Sequence, residues 1–474
     1  MRFWGKSRRV VAVIAATALT MLVPAAPLVS AQPADEPDGT ANATPPPPDL
    51  QHYPPGDPGE PNPVYTRDQQ KGCVQGLGEA VQLQSEPWAQ DVLRLIEAHK
   101  YATGRGVTVA VIDTGVNPHS YLTSLTKGSV DYVSAEAPND CDGHGTQVAG
   151  IIAANHTDPT VGFIGVAPGA TILSFRQSSA YFKDESKPNK PNAGNLDTLA
   201  EAIYTAANEG AQVINMSVDA CRPAKGEITE QEQRVQSALY YAVVEKNVVP
   251  VVSAGNTPSG SADCGDKQNS SDPDHPTLIV APPWFSDLVL SVAAVERDGD
   301  TAQFSLHGPW ISVAAPGTEI ISIDPSRTTG LVNQTSEGAG KQPVPIQGTS
   351  FAAPYVAGLA ALLREKFPNL DARQIMNRIK VTAEHPAGAG GRNLEVGYGM
   401  IDPVAALTEV IPGEDGIAGD PPITIPSDVP PPYQHNWGPM QIALIGSGGG
   451  LVLLLLTLFI VHTVRRNRSE AAGR

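Results

Sequence analysis

Apolar positions through the middle of the chain follow two alternating patterns. Short, nearly unbroken runs rich in β-branched residues occur at Val107–Ile112, Ala170–Phe175, Val213–Met216 and Val248–Val252. Between and after them lie segments whose apolar residues recur every three or four positions: His144–Ala154, Leu196–Glu209, Glu230–Lys246 and Asp371–Ala383. Two shorter apolar runs, Leu288–Val295 and Ile311–Ala314, precede an Ala-rich stretch of helical character from Phe351 to Gly358. The first pattern predicts strands buried on both faces and the second predicts helices. Their alternation predicts an α/β fold of three layers, a mostly parallel sheet with helices on both faces. Ligands of such sheets bind beyond the carboxyl ends of the strands, where Asp113 and Asn256 stand. Gln177–Asn195 and Thr257–Pro276 interrupt the pattern with Ser, Asn, Asp, Pro and Gly, and are expected to be surface loops.

The ends follow other rules. Residues 1–31 carry Arg2, Lys6, Arg8 and Arg9 before an apolar run to Val23, and close on Val29-Ser30-Ala31, as a secretory signal peptide does. Residues 441–462 are uncharged apart from His462 and rich in Leu, Ile and Val, enough to cross a hydrocarbon core of about 30 Å as a helix. Arg465, Arg466 and Arg468 lie in the tail, residues 463–474, and predict a cytoplasmic C-terminus with the body of the protein outside. Residues 32–86 and 411–440 are proline-rich and poor in large apolar residues, so they are expected to be extended, the second as a stalk. The domain proper is then 87–410.

Composition adds two constraints. A formal charge of −17, more negative still once the basic signal is removed, argues against nucleic acid as a partner. Four cysteines, Cys73, Cys141, Cys221 and Cys264, in an exported chain predict two disulfides. Spacing alone leaves all three pairings open, and none has the close spacing of a zinc site.

Three short motifs carry candidate chemistry. Asp113-Thr114-Gly115 closes the first strong strand; Asp142-Gly143-His144-Gly145-Thr146 opens a helix; Gln347-Gly348-Thr349-Ser350 precedes the Ala-rich run. Singly, each has a plain alternative: a turn-forming Asp, a capping or metal-binding His, an N-cap Ser. Together, and in that order, they resemble the subtilases, the subtilisin-like serine proteases. Val111-Ile112-Asp113-Thr114-Gly115, Gly143-His144-Gly145-Thr146, Val213-Ile214-Asn215-Met216-Ser217, Ser253-Ala254-Gly255-Asn256 and Gly348-Thr349-Ser350-Phe351-Ala352-Ala353-Pro354 match the family over about 104–406. The resemblance implies a subtilisin-like fold, Ser350 as nucleophile, His144 as its base, Asp113 orienting His144, and Asn256 with the Ser350 backbone N–H as the oxyanion site. It places Ser217, Val218, Asp219, Ala254 and Gly255 along the substrate. Family members usually have glycine where this chain has Asp219: pointing inward, it makes the first specificity pocket narrower and more acidic, and pointing outward, it is an ordinary loop residue.

Signal, proline-rich extension, protease domain, proline-rich stalk, membrane helix and basic tail together resemble the mycosins, the membrane-anchored subtilases of mycobacterial type VII secretion. That resemblance implies protein or peptide substrates, secretion-membrane components as partners, and an extension that wraps the domain. It pairs Cys73 with Cys141 and Cys221 with Cys264. Secreted subtilases commonly hold calcium, but no loop here has an EF-hand pattern to assign a metal to, and no cofactor is expected. Two roles follow from it, cleavage of exported proteins and bracing of the secretion complex.

Overall fold

The run that stops at Asp113 is strand β1 (Thr108–Asp113), in which Val109 to Asp113 are all buried, so both faces of the sheet are covered here. The computed structural model describes residues 43–52, 65–69, 71–77, 85–125, 130–134, 140–187, 189, 191–258, 265, 267–336, 342–414 and 438–472. The expected signal peptide and most of the second proline-rich segment lie outside these residues. β1 lies within a seven-stranded sheet with β2 (Val130–Asp131), β3 (Thr171–Arg176), β4 (Val213–Met216), β5 (Val249–Ser253), β6 (Leu290–Val295) and β7 (Val313–Pro316). The order is β7-β6-β5-β4-β1-β3-β2 and every pairing is parallel. The expected α/β architecture is therefore the one formed.

Two helix pairs cover the sheet. Helix α1 (His144–Ala153) packs with α4 (Thr349–Lys366), and α2 (Leu196–Asn208) packs with α3 (Glu230–Tyr240). The helix starts are written locally. Asn195 with Thr198, Thr229 with Glu232, and Asp371 with Gln374 at α5 (Ala372–Val381) form reciprocal capping boxes that satisfy otherwise orphaned N–H groups. The α3 pattern runs on into a π-helical turn, Tyr241–Glu245. A last short helix, α6 (Pro403–Thr408), follows.

The structure corrects one expectation and sharpens another. Gln177–Asn195 is not a bare loop: Ser179–Asp184 pairs antiparallel with Asn192–Ala193. Tyr181 and Phe182 supply the reason, since both are buried in a small cluster with Val133, Cys141 and Ala193. The extension contributes strands of its own. Tyr65–Arg67 pairs with Ser179–Asp184, and Gln75–Leu77 pairs with Gln334–Ser336. Farther back, the Pro46 carbonyl accepts from Gln236 on α3 at 2.6 Å.

The described residues up to Glu414 form one compact unit. The second unit holds α7 (Gly438–Ala472), whose segment Ser447–Arg466 is long and apolar enough to cross a membrane.

Candidate active site

Asp113 is the last residue of β1 and is fully buried. Its Oδ1 accepts from the Thr114 N–H at 2.7 Å and lies 2.7 Å from His144 Nδ1. A carboxylate only accepts, so the bonded ring nitrogen carries the proton and His144 Nε2 is left as the acceptor. That nitrogen faces Ser350 Oγ at 2.9 Å. His144 opens α1, and Gly145 beside it is required by space. A Cβ there would sit 2.1 Å from the Gly115 carbonyl and 3.1 Å from the Asp113 side chain, so a larger residue would lift α1 off β1.

The imidazole is a stronger base than a free histidine. Burial pushes its pKa down, but the Asp113 carboxylate, with Asp140 and Asp142 behind it, raises it by more. The ring packs against Phe351 with centroids 4.8 Å apart, and its side chain keeps 28% exposure, open to the cleft.

Asp140 holds these parts in register, and sequence reasoning passed it over. Its Oδ1 accepts from Thr114 Oγ1 at 2.8 Å and Gly143 N at 2.7 Å; its Oδ2 accepts from Thr146 N at 2.9 Å and Thr146 Oγ1 at 2.6 Å. It thus joins the turn after Asp113 to the first turn of α1. Burial pushes its pKa up to about 6 against the pull of the Thr146 and Thr114 hydrogen bonds. The signal for it was an acid four residues before a glycine-flanked histidine. Asp142 reaches the other way, accepting from Ser179 Oγ at 2.5 Å and Ala180 N at 2.8 Å, and so ties the start of α1 to the Ser179–Asp184 strand.

Ser350 is the second residue of α4, where backbone N–H groups lack intrahelical partners and the helix dipole favours negative charge. Its carbonyl would ordinarily accept from the residue four positions on, which is Pro354 and has no N–H. Ser217 Oγ fills that vacancy, donating to the Ser350 carbonyl at 2.9 Å, and itself accepts from Asn215 Nδ2 at 2.9 Å. β4 is thereby fastened to the residue that carries the hydroxyl. Asn256, just beyond β5, accepts through Oδ1 from Thr349 N at 2.9 Å and Thr349 Oγ1 at 3.1 Å. With Oδ1 committed, the donor end of the amide, Nδ2, is the part left for a ligand.

Val218 is half-buried against the main core, and Ala254 and Gly255 are buried on the facing segment. Asp219 points across to that segment: a Cβ on Gly255 would lie 2.6 Å from Asp219 Oδ2. Gly255 has φ +99°, so only glycine fits both the backbone and the space. Water reaches Asp219 from the cleft, yet crowding by protein pushes its pKa up to about 6, opposed by its own backbone N–H. It remains ionised at neutral pH.

Cys73 and Cys141 are joined, with Cα atoms 4.5 Å apart, so the extension is bonded three residues before His144. Cys221, on the strand Ala220–Pro223, is also disulfide-bonded, and Cys264 lies outside the described residues.

A hydroxyl, a proton acceptor oriented by a carboxylate, and amide donors beside a helix N-terminus can together carry acyl transfer. The family model of the subtilases matches residues 104–399. Mycosin-1 of Mycobacterium tuberculosis is 44% identical over 341 residues, covering 69% of this chain and 74% of its own. Mycosin-3 of the same organism is 37% identical over 440 residues, covering 90% and 93%. Among solved structures, the serine protease MycP1, described as an essential component of the type VII (ESX-1) secretion system, is 42% identical with a TM-score of 0.68, covering 77% of this chain and all of its own. A chain in the intact ESX-5 inner membrane complex is 37% identical with a TM-score of 0.70, covering 88% and 99%. By sequence and by fold, this chain belongs to the subtilase family and is a serine protease of the mycosin type.

Proposed function

We propose that the protein is a membrane-anchored endopeptidase that cleaves exported proteins linked to type VII secretion, through Asp113, His144 and Ser350. The observation that carries this reading is the continuous chain from Asp113 Oδ1 through both nitrogens of His144 to Ser350 Oγ, at 2.7 and 2.9 Å. Ser350 Oγ attacks the scissile carbonyl as its proton passes to His144 Nε2. Asp113 stabilises the imidazolium, and Asn256 Nδ2 with the Ser350 N–H receives the oxyanion. His144 then protonates the leaving amine, and a water activated by the same imidazole hydrolyses the acyl-enzyme.

Asp219 narrows the pocket for the acyl residue and adds a negative charge to it, which selects small or basic side chains there. Profiling against a peptide library tests this; free cleavage after bulky aromatic residues would overturn it. The apolar segment Ser447–Arg466 anchors the chain in the cytoplasmic membrane, with the protease domain on the outer side.

A second reading makes the protein a brace of the secretion complex, independent of proteolysis. It is favoured by the likeness to a chain within the ESX-5 inner membrane complex along 88% of this chain. Ser350→Ala, expressed in cells at the native level, distinguishes the two. Loss of substrate processing with secretion intact makes them separate roles, and loss of both makes catalysis the driver. Unchanged processing overturns the endopeptidase reading. In the purified protein kcat should fall by about 10⁶, the loss seen when subtilisin loses its nucleophile.

A further inference from the structure

We infer that Lys71, on the N-terminal extension, forms a subsite for an acidic side chain of the substrate at the position just upstream of the acyl residue. The inference rests on the peptidase reading above and adds to it what the extension does at the cleft.

A cavity of about 420 Å³ opens beside His144, bounded by Ser217 and Val218 on the sheet side and by Lys71 and Val74 of the extension. Neighbouring side chains of an extended peptide point to opposite faces. A substrate whose acyl residue turns toward Asp219 and Gly255 therefore sends the preceding side chain toward His144 and this cavity.

Besides the Tyr181 phenol, four described acidic or basic side chains line it, and three are already engaged. Asp113 and His144 hold each other, and His144 also faces Ser350. Both oxygens of Asp142 accept, from Ser179 and Ala180. Lys71 makes one long contact, Nζ to the Ala180 carbonyl at 3.5 Å, and its ammonium lies 5.7 Å from the centre of the Tyr181 ring. An ammonium has three donors, so most of its capacity is unspent.

The lysine is also held in place. Its backbone N–H donates to the Asp68 carbonyl at 3.2 Å, the Asp68 N–H donates to the Tyr181 carbonyl at 2.8 Å, and the Val74 N–H donates to the Cys141 carbonyl at 2.9 Å. Two residues on, Cys73 is bonded to Cys141. A cation on an anchored stretch of backbone, with donors unspent, attracts a carboxylate and repels a second ammonium. Lys71 is exposed and Asp142 opposes it, so the effect is moderate: about tenfold between acid and base in the substrate.

The test uses the full chain in detergent and three peptides that differ only in Glu, Gln or Lys at the upstream position. Wild type should give kcat/KM in the order Glu, Gln, Lys, with Glu over Lys by about tenfold. Lys71→Met should bring the three together, and Lys71→Glu should reverse the order of the Glu and Lys peptides. The Glu preference should fade at high ionic strength. Equal cleavage of the Glu and Lys peptides, or a ratio indifferent to Lys71→Glu, overturns the subsite. Affinities of the same peptides for Ser350→Ala, read by fluorescence anisotropy, separate the two readings. A Glu preference in binding without cleavage by wild type would sink the peptidase and leave the subsite standing; binding without preference would sink the subsite.

Discussion

The two sides of the cleft hold their side chains by different means. On the sheet side, Asp113, His144 and Asn256 stand at strand or helix ends, and each is fixed by hydrogen bonds at 2.7–3.1 Å to groups on neighbouring elements. On the other side, the wall is a strand of the Ser179–Asp184 pair and an extension fastened by two short pairings and a disulfide. The first arrangement is rigid because a buried sheet cannot shift one residue without displacing the rest. The second is an added surface, and Lys71 stands on it beside the cleft. On the proposed function, chemistry depends on the sheet, and selection depends on charges set around it: Lys71 on the added wall and Asp219 just past β4.

Substitutions on the sheet side should cost the most. Asp113→Asn should lower kcat by about 10⁴, the loss known for this exchange in serine proteases, because the wrong tautomer is then favoured. It should also move the pH profile. A base must be neutral to work, so with its pKa raised above the ordinary 6.5, wild-type kcat/KM falls on the acid side with a midpoint above that value. Without the Asp113 charge the midpoint should drop; an unmoved midpoint would mean that Asp113 does not set the basicity of His144. Next comes Asn256→Asp, which keeps the acceptor for Thr349 and removes the donor. It should reduce kcat by at least about 10²–10³ with KM and melting temperature little changed. A KM effect alone would move Asn256 from the oxyanion to ground-state binding.

The smallest effect belongs to selection. Asp219→Gly should raise kcat/KM for substrates with a large acyl side chain by about tenfold, the scale of adding space in a pocket. It should leave the rate on small ones nearly unchanged. A uniform change across substrates would show that Asp219 acts on the chemistry instead, and the contrast between chemistry and selection would collapse.

The legible parts of the molecule follow the same division. β1, β4 and β5 were readable because strands buried on both faces must be continuously apolar, and Asp113 and Asn256 were readable because polarity returns where such strands stop. The Ser179–Asp184 strand was not, since Tyr181 and Phe182 are adjacent and its turn is rich in Lys, Pro and Asn, which reads as loop. The extension strands are three residues each, too short to carry a period, and they exist only through partners more than a hundred residues away. Asp140 was hidden for another reason: its four bonds converge from Thr114, Gly143 and Thr146, and only the fold shows that they meet.

Pro354 draws a last consequence. A regular helix can turn about its axis against a sheet with only a change in packing, since its backbone is closed on itself. Here one rung is missing, and the Ser350 carbonyl it exposes is claimed by Ser217. The proline thus works as a keyway and Ser217 as its key: α4 locks to β4 at one angle, and at that angle the Ser350 hydroxyl faces His144.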